Sequence, residues 1–72
     1  MASQIVSTPD TLGGKPRIDG TRISVAMILE ELAAGETPAD IVETYPSLTL
    51  EDVKAAIAFA IAQVDAARVA AE

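Results

Sequence analysis

The chain has 72 residues, half of them hydrophobic, and its formal net charge is −6. It contains neither cysteine nor histidine, which excludes disulfides and the usual zinc ligand sets. The acidic balance also argues against non-specific affinity for nucleic acid, because Lys and Arg side chains supply most of that binding. A chain of this length makes a single domain, residues 1–72, with so small a core that oligomerisation is the expected source of further stability.

Charge is distributed unevenly along the chain. Residues 1–24 hold three basic and two acidic side chains, a net charge of +1. Residues 25–72 hold two basic and nine acidic side chains, a net charge of −7. We call these two segments the basic head and the acidic body. Such asymmetry indicates an interaction surface of each sign.

The basic head is predicted to form a β arm and a hairpin. Residues 4–10 suit a short strand followed by a turn. The pair Asp19 and Gly20 then favours a two-residue type I′ turn between two short runs, which end in Ile18 and Ile23. These two isoleucines would share one face. Arms this short are not stable alone, so the helices or a second chain must cover them.

The acidic body is predicted to be helical from its first residues onward. Ser24 can cap a first helix whose apolar residues recur at i, i+3, i+4 and i+7, the spacing of one buried stripe. Gly35 is expected to end this helix as its C-terminal cap. The stripe consists of Val25, Ile28, Leu29 and Leu32.

A second, shorter helix is predicted to begin after Thr37. Thr37 and Asp40 form a capping box, and Pro38 occupies the first helical position, where its missing N–H is harmless. Pro46 disfavours helical geometry at the preceding residue, which limits this helix to about two turns. Its inward-facing residues are Ile41, Val42 and Tyr45.

An extended C-terminal helix is predicted to follow. Residues 49–52 repeat the capping pattern, and the alanines beyond them combine high helix propensity with little side-chain volume. We hypothesise that the part beyond residue 61 packs against another protomer or partner, with fraying as the alternative. The apolar positions at helical spacing are Val53, Ile57, Ala60, Ile61 and Val64.

Together these elements predict a mainly α fold, a three-helix domain with a short N-terminal β-hairpin. The short connection at residues 46–48 is typical of a helix-turn-helix arrangement, although the same pattern also fits any small helical bundle. No run of about 18 apolar residues exists, and the first four residues lack the features of a signal peptide. We therefore expect a cytoplasmic location.

Catalysis is not expected. The chain has no histidine or cysteine to activate a nucleophile, and its serines have simpler turn or capping roles. Gly14 and Lys15 lack the other residues of a phosphate-binding loop. We expect no enzyme activity, no catalytic residue, no metal site and no cofactor.

Several segments in combination resemble the family of the domain of unknown function 433. They are residues 14–18 (Gly-Lys-Pro-Arg-Ile), 20–25 (Gly-Thr-Arg-Ile-Ser-Val), 32–35 (Leu-Ala-Ala-Gly) and 45–52 (Tyr-Pro-Ser-Leu-Thr-Leu-Glu-Asp), with Ala56 and Ala60. The resemblance spans roughly Ile5 to Ala60. It implies a homeodomain-like helix-turn-helix domain that is often dimeric. It also implies an antitoxin of a type II toxin–antitoxin pair, which masks a PIN-like ribonuclease toxin and can bind its own promoter.

The helix expected to read DNA in such a fold is acidic in this chain. A helix-turn-helix protein normally offers the start of its second helix to the major groove. Here that start is residues 50–54, in which Glu51 and Asp52 favour the positive end of the helix dipole and repel phosphate. The interpretation that we favour for these two carboxylates is therefore structural.

The basic head is the better candidate for contact with nucleic acid or a partner. Lys15, Arg17 and Arg22 lie close together in sequence, and a two-stranded ribbon can enter a DNA groove. The alternative is that Arg17 and Arg22 pair with carboxylates of the acidic body or of a partner subunit, which a guanidinium binds bidentately.

The acidic body is predicted to be a solvated face, with contact to a basic cleft on a nuclease as the functional alternative. We expect a homodimer, and a PIN-like toxin and operator DNA as further partners. A stand-alone helix-turn-helix transcriptional regulator and a structural dimerisation module are the competing interpretations. The candidate toxin contacts are Glu30, Glu31, Glu43, Glu51 and Asp52.

Overall fold

The computed structural model describes residues 4–67. Two short strands, β1 and β2, precede three helices, α1 to α3, so the predicted mainly α fold with an N-terminal β-hairpin is confirmed. The predicted continuation of the last helix beyond Ala67 lies outside the described residues. The bounds are β1 Ile5–Val6, β2 Arg17–Ile18, α1 Val25–Ala33, α2 Pro38–Thr44 and α3 Leu50–Ala67, with a 3₁₀ turn at Leu12–Gly14.

The hairpin differs from the prediction in its strand partner and in its turn. β2 pairs antiparallel with β1, and Ile18 lies opposite Ile5. The Asp19–Gly20 turn forms, since the Thr21 N–H donates to the Ile18 carbonyl at 3.1 Å. Type I′ geometry is nevertheless wrong, because Gly20 has a φ of 81° while Asp19 does not have a positive φ. A positive φ at the second central position alone is typical of a type II turn.

Four residues, instead of the predicted two, separate the paired positions Ile18 and Ile23 on either side of this turn. The Ile18 N–H donates to the Ile23 carbonyl at 3.0 Å, and Arg17 forms an isolated bridge with Ser24. A two-residue loop would have placed Arg17 opposite Arg22, and like charges directly opposite each other destabilise a strand pair. In the observed register Ile18 and Ile23 are both buried in the core, so their predicted common face is confirmed.

Both ends of α1 have the predicted caps. The Ser24 hydroxyl accepts a hydrogen bond from the Met27 N–H at 3.0 Å. After the last turn the chain reverses at Gly35, whose φ of 100° suits glycine. The Gly35 N–H donates to the Leu32 carbonyl and the Glu36 N–H to the Glu31 carbonyl, both at 3.0 Å, which is the Schellman arrangement.

Capping boxes start the other two helices, as predicted. In α2 the Thr37 N–H donates to the Asp40 carboxylate at 3.0 Å, and the Asp40 N–H donates to the Thr37 hydroxyl at 3.1 Å. The bond from the Thr37 backbone lowers the pKa of the Asp40 carboxyl. In α3 Thr49 and Asp52 make the equivalent pair of bonds, at 2.9 and 3.2 Å.

The core lies where the hairpin and the three helices meet. Ile28, Ile41 and Val53, one from each helix, are its largest fully buried side chains. Leu48 of the connection before α3 is also buried there, although sequence periodicity did not assign it to the core. No helix within residues 4–67 is long and apolar enough to cross a membrane. The buried core residues are Ile18, Ile23, Val25, Ile28, Ile41, Leu48, Val53 and Ala56.

Candidate functional site

Arg17 of the basic head is held by groups of the head itself. Its Nη1 donates to the Thr21 carbonyl at 3.0 Å, and its Nη2 donates to the Thr8 hydroxyl at 3.2 Å. Its Nε is buried without a hydrogen-bond partner among the described residues. The guanidinium therefore ties the segment after β1 to the turn after β2. Within residues 4–67 it binds a carbonyl and a hydroxyl instead of the carboxylate that the sequence offered as one alternative.

Lys15 and Arg22 are in a different state from Arg17. Both side chains are exposed, and no ion pair within residues 4–67 involves either of them. The structure thus separates the three predicted basic residues into one that braces the hairpin and two that face solvent. Lys15 and Arg22 are the members of the set that are open to a partner.

The candidate toxin contacts also differ in accessibility. Glu30 of α1, Glu43 of α2 and Glu51 of α3 are exposed, and Glu31 is half-buried. An ion pair joins Glu51 to Lys54 at 3.8 Å, and both of these side chains are exposed. Exposed pairs of this kind contribute between about 0 and 1 kcal/mol. All three helices therefore present carboxylates to solvent.

Asp52 belongs to the start of α3 more than to the acidic surface. Its side chain is 9% exposed, and one carboxylate oxygen accepts the Thr49 N–H at 2.9 Å. This carboxylate caps the helix, as the capping pattern at residues 49–52 predicted. Asp52 is the least accessible of the five candidate toxin contacts.

An apolar surface beside α3 completes the set of candidate sites. A groove of about 450 Å³ lies between α1 and α3, and its lining includes Lys15, Val25, Leu29, Phe59, Ala60 and Val64. A second recess of about 300 Å³ adjoins it and shares Ala60 and Val64. We call the groove and the recess together the α1–α3 face.

The exposed apolar residues extend this face. Ile61 is 61% exposed and Val64 is 70% exposed, although both continue the apolar spacing of α3. The sequence predicts that the part of the helix beyond residue 61 packs against another protomer or partner, with fraying as the alternative, and it did not reveal the groove that this helix forms with α1 and Lys15. The predicted helix lengths could have indicated this surface, because α1 and α2 are predicted to be much shorter than the helix that they must cover.

The described residues contain no group of three or more Asp, Glu, His or Cys side chains placed to hold a metal ion. The surfaces that this part of the chain offers are the exposed cations of the head, the exposed carboxylates of the body and the α1–α3 face. All three are suited to binding a macromolecule through charge or apolar contact.

Residues 5–60 match the family described as protein of unknown function (DUF433). The chain belongs to this family. The DUF433 match has the limits that the sequence motifs indicated, and it ends within α3. Ile61 and Val64 therefore lie beyond it, while Phe59 and Ala60 are its last residues.

A curated relative is similar over the same length. The uncharacterized protein y4eO of Sinorhizobium fredii (strain NBRC 101917 / NGR234) is 38% identical over 56 residues, which are 78% of this chain and 25% of the relative. The match thus spans about a quarter of the relative's length. No solved structure matches the chain significantly.

Proposed function

We propose that this DUF433 protein is the antitoxin of a type II toxin–antitoxin pair. It acts in the cytoplasm as a homodimer, neutralises a PIN-like ribonuclease by direct contact and has no catalytic activity of its own. The observation that carries this proposal is the acidic surface of the body, with exposed carboxylates on all three helices. A ribonuclease must offer positive charge to the phosphates of RNA, and the same charge attracts this surface.

The contact works by electrostatic complementarity. Glu30, Glu43 and Glu51 occupy the positions that substrate phosphates would take in a basic cleft, and the net charge of the body accelerates the encounter. Asp52 supports this surface indirectly, since its capping bonds fix the start of α3 and thereby the position of Glu51.

The test is co-expression with the product of the neighbouring gene. We expect relief of toxicity and recovery of a complex by affinity purification. Glu43→Lys is expected to lower the affinity of that complex by about tenfold or more at low salt, with a smaller loss at high salt. Asp10→Lys is the matched control, because it makes the same charge change at an exposed position in the head. If no complex forms and toxicity persists, the proposal is wrong.

Repression of the protein's own operon is the second proposed function. Lys15 and Arg22 support it, since both are exposed and unpaired within the described residues. Under this proposal the head contacts phosphates, while the acidic start of α3 stays away from the DNA. Arg22→Ala should weaken binding to the upstream DNA and reduce the salt slope by about one unit, which a titration of labelled DNA at several salt concentrations measures. Binding that is undetectable at low salt would exclude this function.

A further inference from the structure

The side chain of Arg17 has a hydrogen-bonding edge that is only partly used. A guanidinium offers two parallel N–H groups along the edge that its Nε and Nη2 share, and this fork binds an acceptor with two oxygens. In Arg17 the Nη2 donates to the Thr8 hydroxyl at 3.2 Å, and the Nη1 donates to the Thr21 carbonyl at 3.0 Å. The Nε is buried and has no hydrogen-bond partner among the described residues. A buried donor without a partner is costly, so this fork suits a two-oxygen acceptor better than a single hydroxyl.

The hydroxyl that faces the fork belongs to a residue that a modifying enzyme can reach. Thr8 is half-buried, and its neighbours Ser7, Pro9 and Asp10 are exposed. It lies in the connection between β1 and the 3₁₀ turn, outside both elements. Pro9 also disfavours helical geometry at Thr8. The side chain can therefore move outward without breaking a strand or a helix.

Other hydroxyls of this region are already needed for the fold. The Thr21 hydroxyl donates to the Ile18 carbonyl at 2.8 Å and accepts the Ile23 N–H at 3.1 Å. The Ser24 hydroxyl caps α1. Modification of either group would remove a turn or a cap. The bond that Thr8 accepts from Arg17 is different, because an added group that carries its own oxygens can replace it.

We propose that Thr8 is a phosphorylation site whose phosphoryl group binds to the fork of Arg17. A protein kinase transfers the γ-phosphoryl group of a nucleoside triphosphate to the Thr8 hydroxyl oxygen. The bond from the γ-phosphorus to the β,γ-bridging oxygen breaks, the nucleoside diphosphate leaves, and the hydroxyl proton passes to the base of the kinase. Two terminal oxygens of the new group then accept the Nε and Nη2 N–H groups, while Nη1 keeps its bond to the Thr21 carbonyl.

Phosphorylation at this position changes both the stability and the charge of the basic head. It replaces a neutral acceptor with an ionised one, and such hydrogen bonds are about twice as strong. It also adds about 1.5 to 2 negative charges, which outweigh the net charge of +1 on the head. The modified head then repels phosphates and loses affinity for operator DNA. This last consequence rests on the proposed repression of the operon, whereas the modification site does not.

The test compares full-length chains assembled by chemical synthesis with and without phosphothreonine at position 8. Phosphorylation of Thr8 should raise the midpoint of thermal unfolding by about 5 °C. The matched control carries phosphoserine at the exposed neighbour Ser7, and its midpoint should stay within about 1 °C of that of the unmodified chain. A ³¹P NMR titration should show that the pKa of the phosphoryl group on Thr8 lies below its ordinary value of about 6, because Arg17 stabilises the dianion.

Arg17→Gln identifies the group that binds the phosphoryl oxygens. The amide keeps a donor for the Thr21 carbonyl but has neither the fork nor the charge. In this background phosphorylation of Thr8 should shift the midpoint by less than about 1 °C, and the pKa should return to its ordinary value. If Arg17→Gln does not fold, the comparison of positions 7 and 8 and the NMR titration of the wild type decide the question. A chain that phosphothreonine does not stabilise, or that phosphoserine at Ser7 stabilises equally, overturns the proposal.

Use of the site in cells is measured on the chain purified from the cells that encode it. We expect intact-mass spectrometry to resolve a form with one added phosphoryl group, and fragmentation to place that group on Thr8. If growing and starved cells both lack this form, Thr8 is not a modification site and the proposal is wrong.

A titration of upstream DNA separates this inference from the proposed function. Phosphothreonine at position 8 should weaken binding by about tenfold or more at low salt. If phosphorylation stabilises the chain as expected but the unmodified chain binds no upstream DNA, the modification site is supported and the proposed repression is wrong.

Discussion

The two halves of α3 have the same kind of sequence and opposite environments. Both halves place apolar residues at helical spacing among alanines. In the first half Val53 and Ala56 contribute to the core, and Ile57 packs against it. In the second half Ile61 and Val64 face outward with more than half of their surface exposed. The same pattern therefore marks core in one place and accessible surface in the other.

This difference shows what apolar periodicity determines and what it does not. Periodicity fixes which side of a helix is apolar, because residues three and four apart lie on one face. Whether that side is covered depends on the lengths and positions of the neighbouring elements. In this chain α1 and α2 are shorter than α3, so the apolar side of α3 is exposed along its second half.

The largest expected effect comes from truncating the covered half. Val53→Ala should lower the free energy of unfolding by about 2 kcal/mol, because Val53 is fully buried and its loss leaves a cavity in a small core. Val64→Ala is the matched change in the uncovered half and should cost the monomer about 0.5 kcal/mol or less. Urea denaturation at low protein concentration measures both changes.

Repeating this experiment at high concentration sharpens the comparison. If a second copy covers the α1–α3 face, the cost of Val64→Ala should grow with protein concentration, because dimerisation adds to apparent stability. The cost of Val53→Ala should stay nearly constant. Equal costs for the two substitutions at low concentration would show that Val64 is covered within the monomer.

Most of the fold could be predicted from the sequence because its signals are local. Ser24, the Thr37–Asp40 pair and Gly35 act within a few residues of their own helix ends, so their roles follow from neighbouring sequence alone. The family match and the limits of the motifs also agree. These local signals placed the starts of all three helices correctly.

The hairpin register could not be predicted in this way. Asp19–Gly20 is a strong local signal for a two-residue turn, but the long-range pairing of β2 with β1 and the burial of Ile18 with Ile23 select a different register. The role of Arg17 was missed for the same reason, since its partners Thr8 and Thr21 lie nine and four residues away. Tertiary contacts decided both features.

The basic head contains a similar contrast, because Arg17 is hydrogen-bonded within the fold whereas Arg22 is exposed. Arg17→Ala should lower the free energy of unfolding by about 1–2 kcal/mol, because it removes two charged hydrogen bonds that brace the hairpin. Arg22→Ala should change the stability by about 0.5 kcal/mol at most, since Arg22 is exposed. Thermal unfolding of the two variants beside the wild type measures the difference. A loss of stability from Arg22→Ala that matched the loss from Arg17→Ala would contradict the assigned roles.

This separation also determines how DNA-binding data on the head should be interpreted. A loss of DNA affinity in Arg17→Ala could come from the lost charge or from the lost hydrogen bonds that brace the hairpin, so it would not report phosphate contact by itself. Arg22→Ala changes charge with little effect on the fold, so the salt dependence of its binding reports phosphate contact directly. Lys15 requires the same care for another reason, because it also lines the α1–α3 face.

The smallest expected effect concerns the exposed capping box, compared with the covered one at the start of α3. The hydrogen bond from the Thr37 backbone lowers the pKa of Asp40 in the folded state. Its contribution to stability is therefore present above the unfolded pKa, about 3.9, and is lost as the pH falls through the lower folded pKa.

Asp40→Asn keeps an acceptor oxygen but no longer titrates, so its stability should fall less steeply below about pH 4 than that of the wild type. Thermal unfolding of Asp40→Asn and of the wild type between about pH 6 and 2 measures the two slopes. An Asp40→Asn profile parallel to that of the wild type would mean that the carboxylate contributes no more to the cap than a neutral acceptor does.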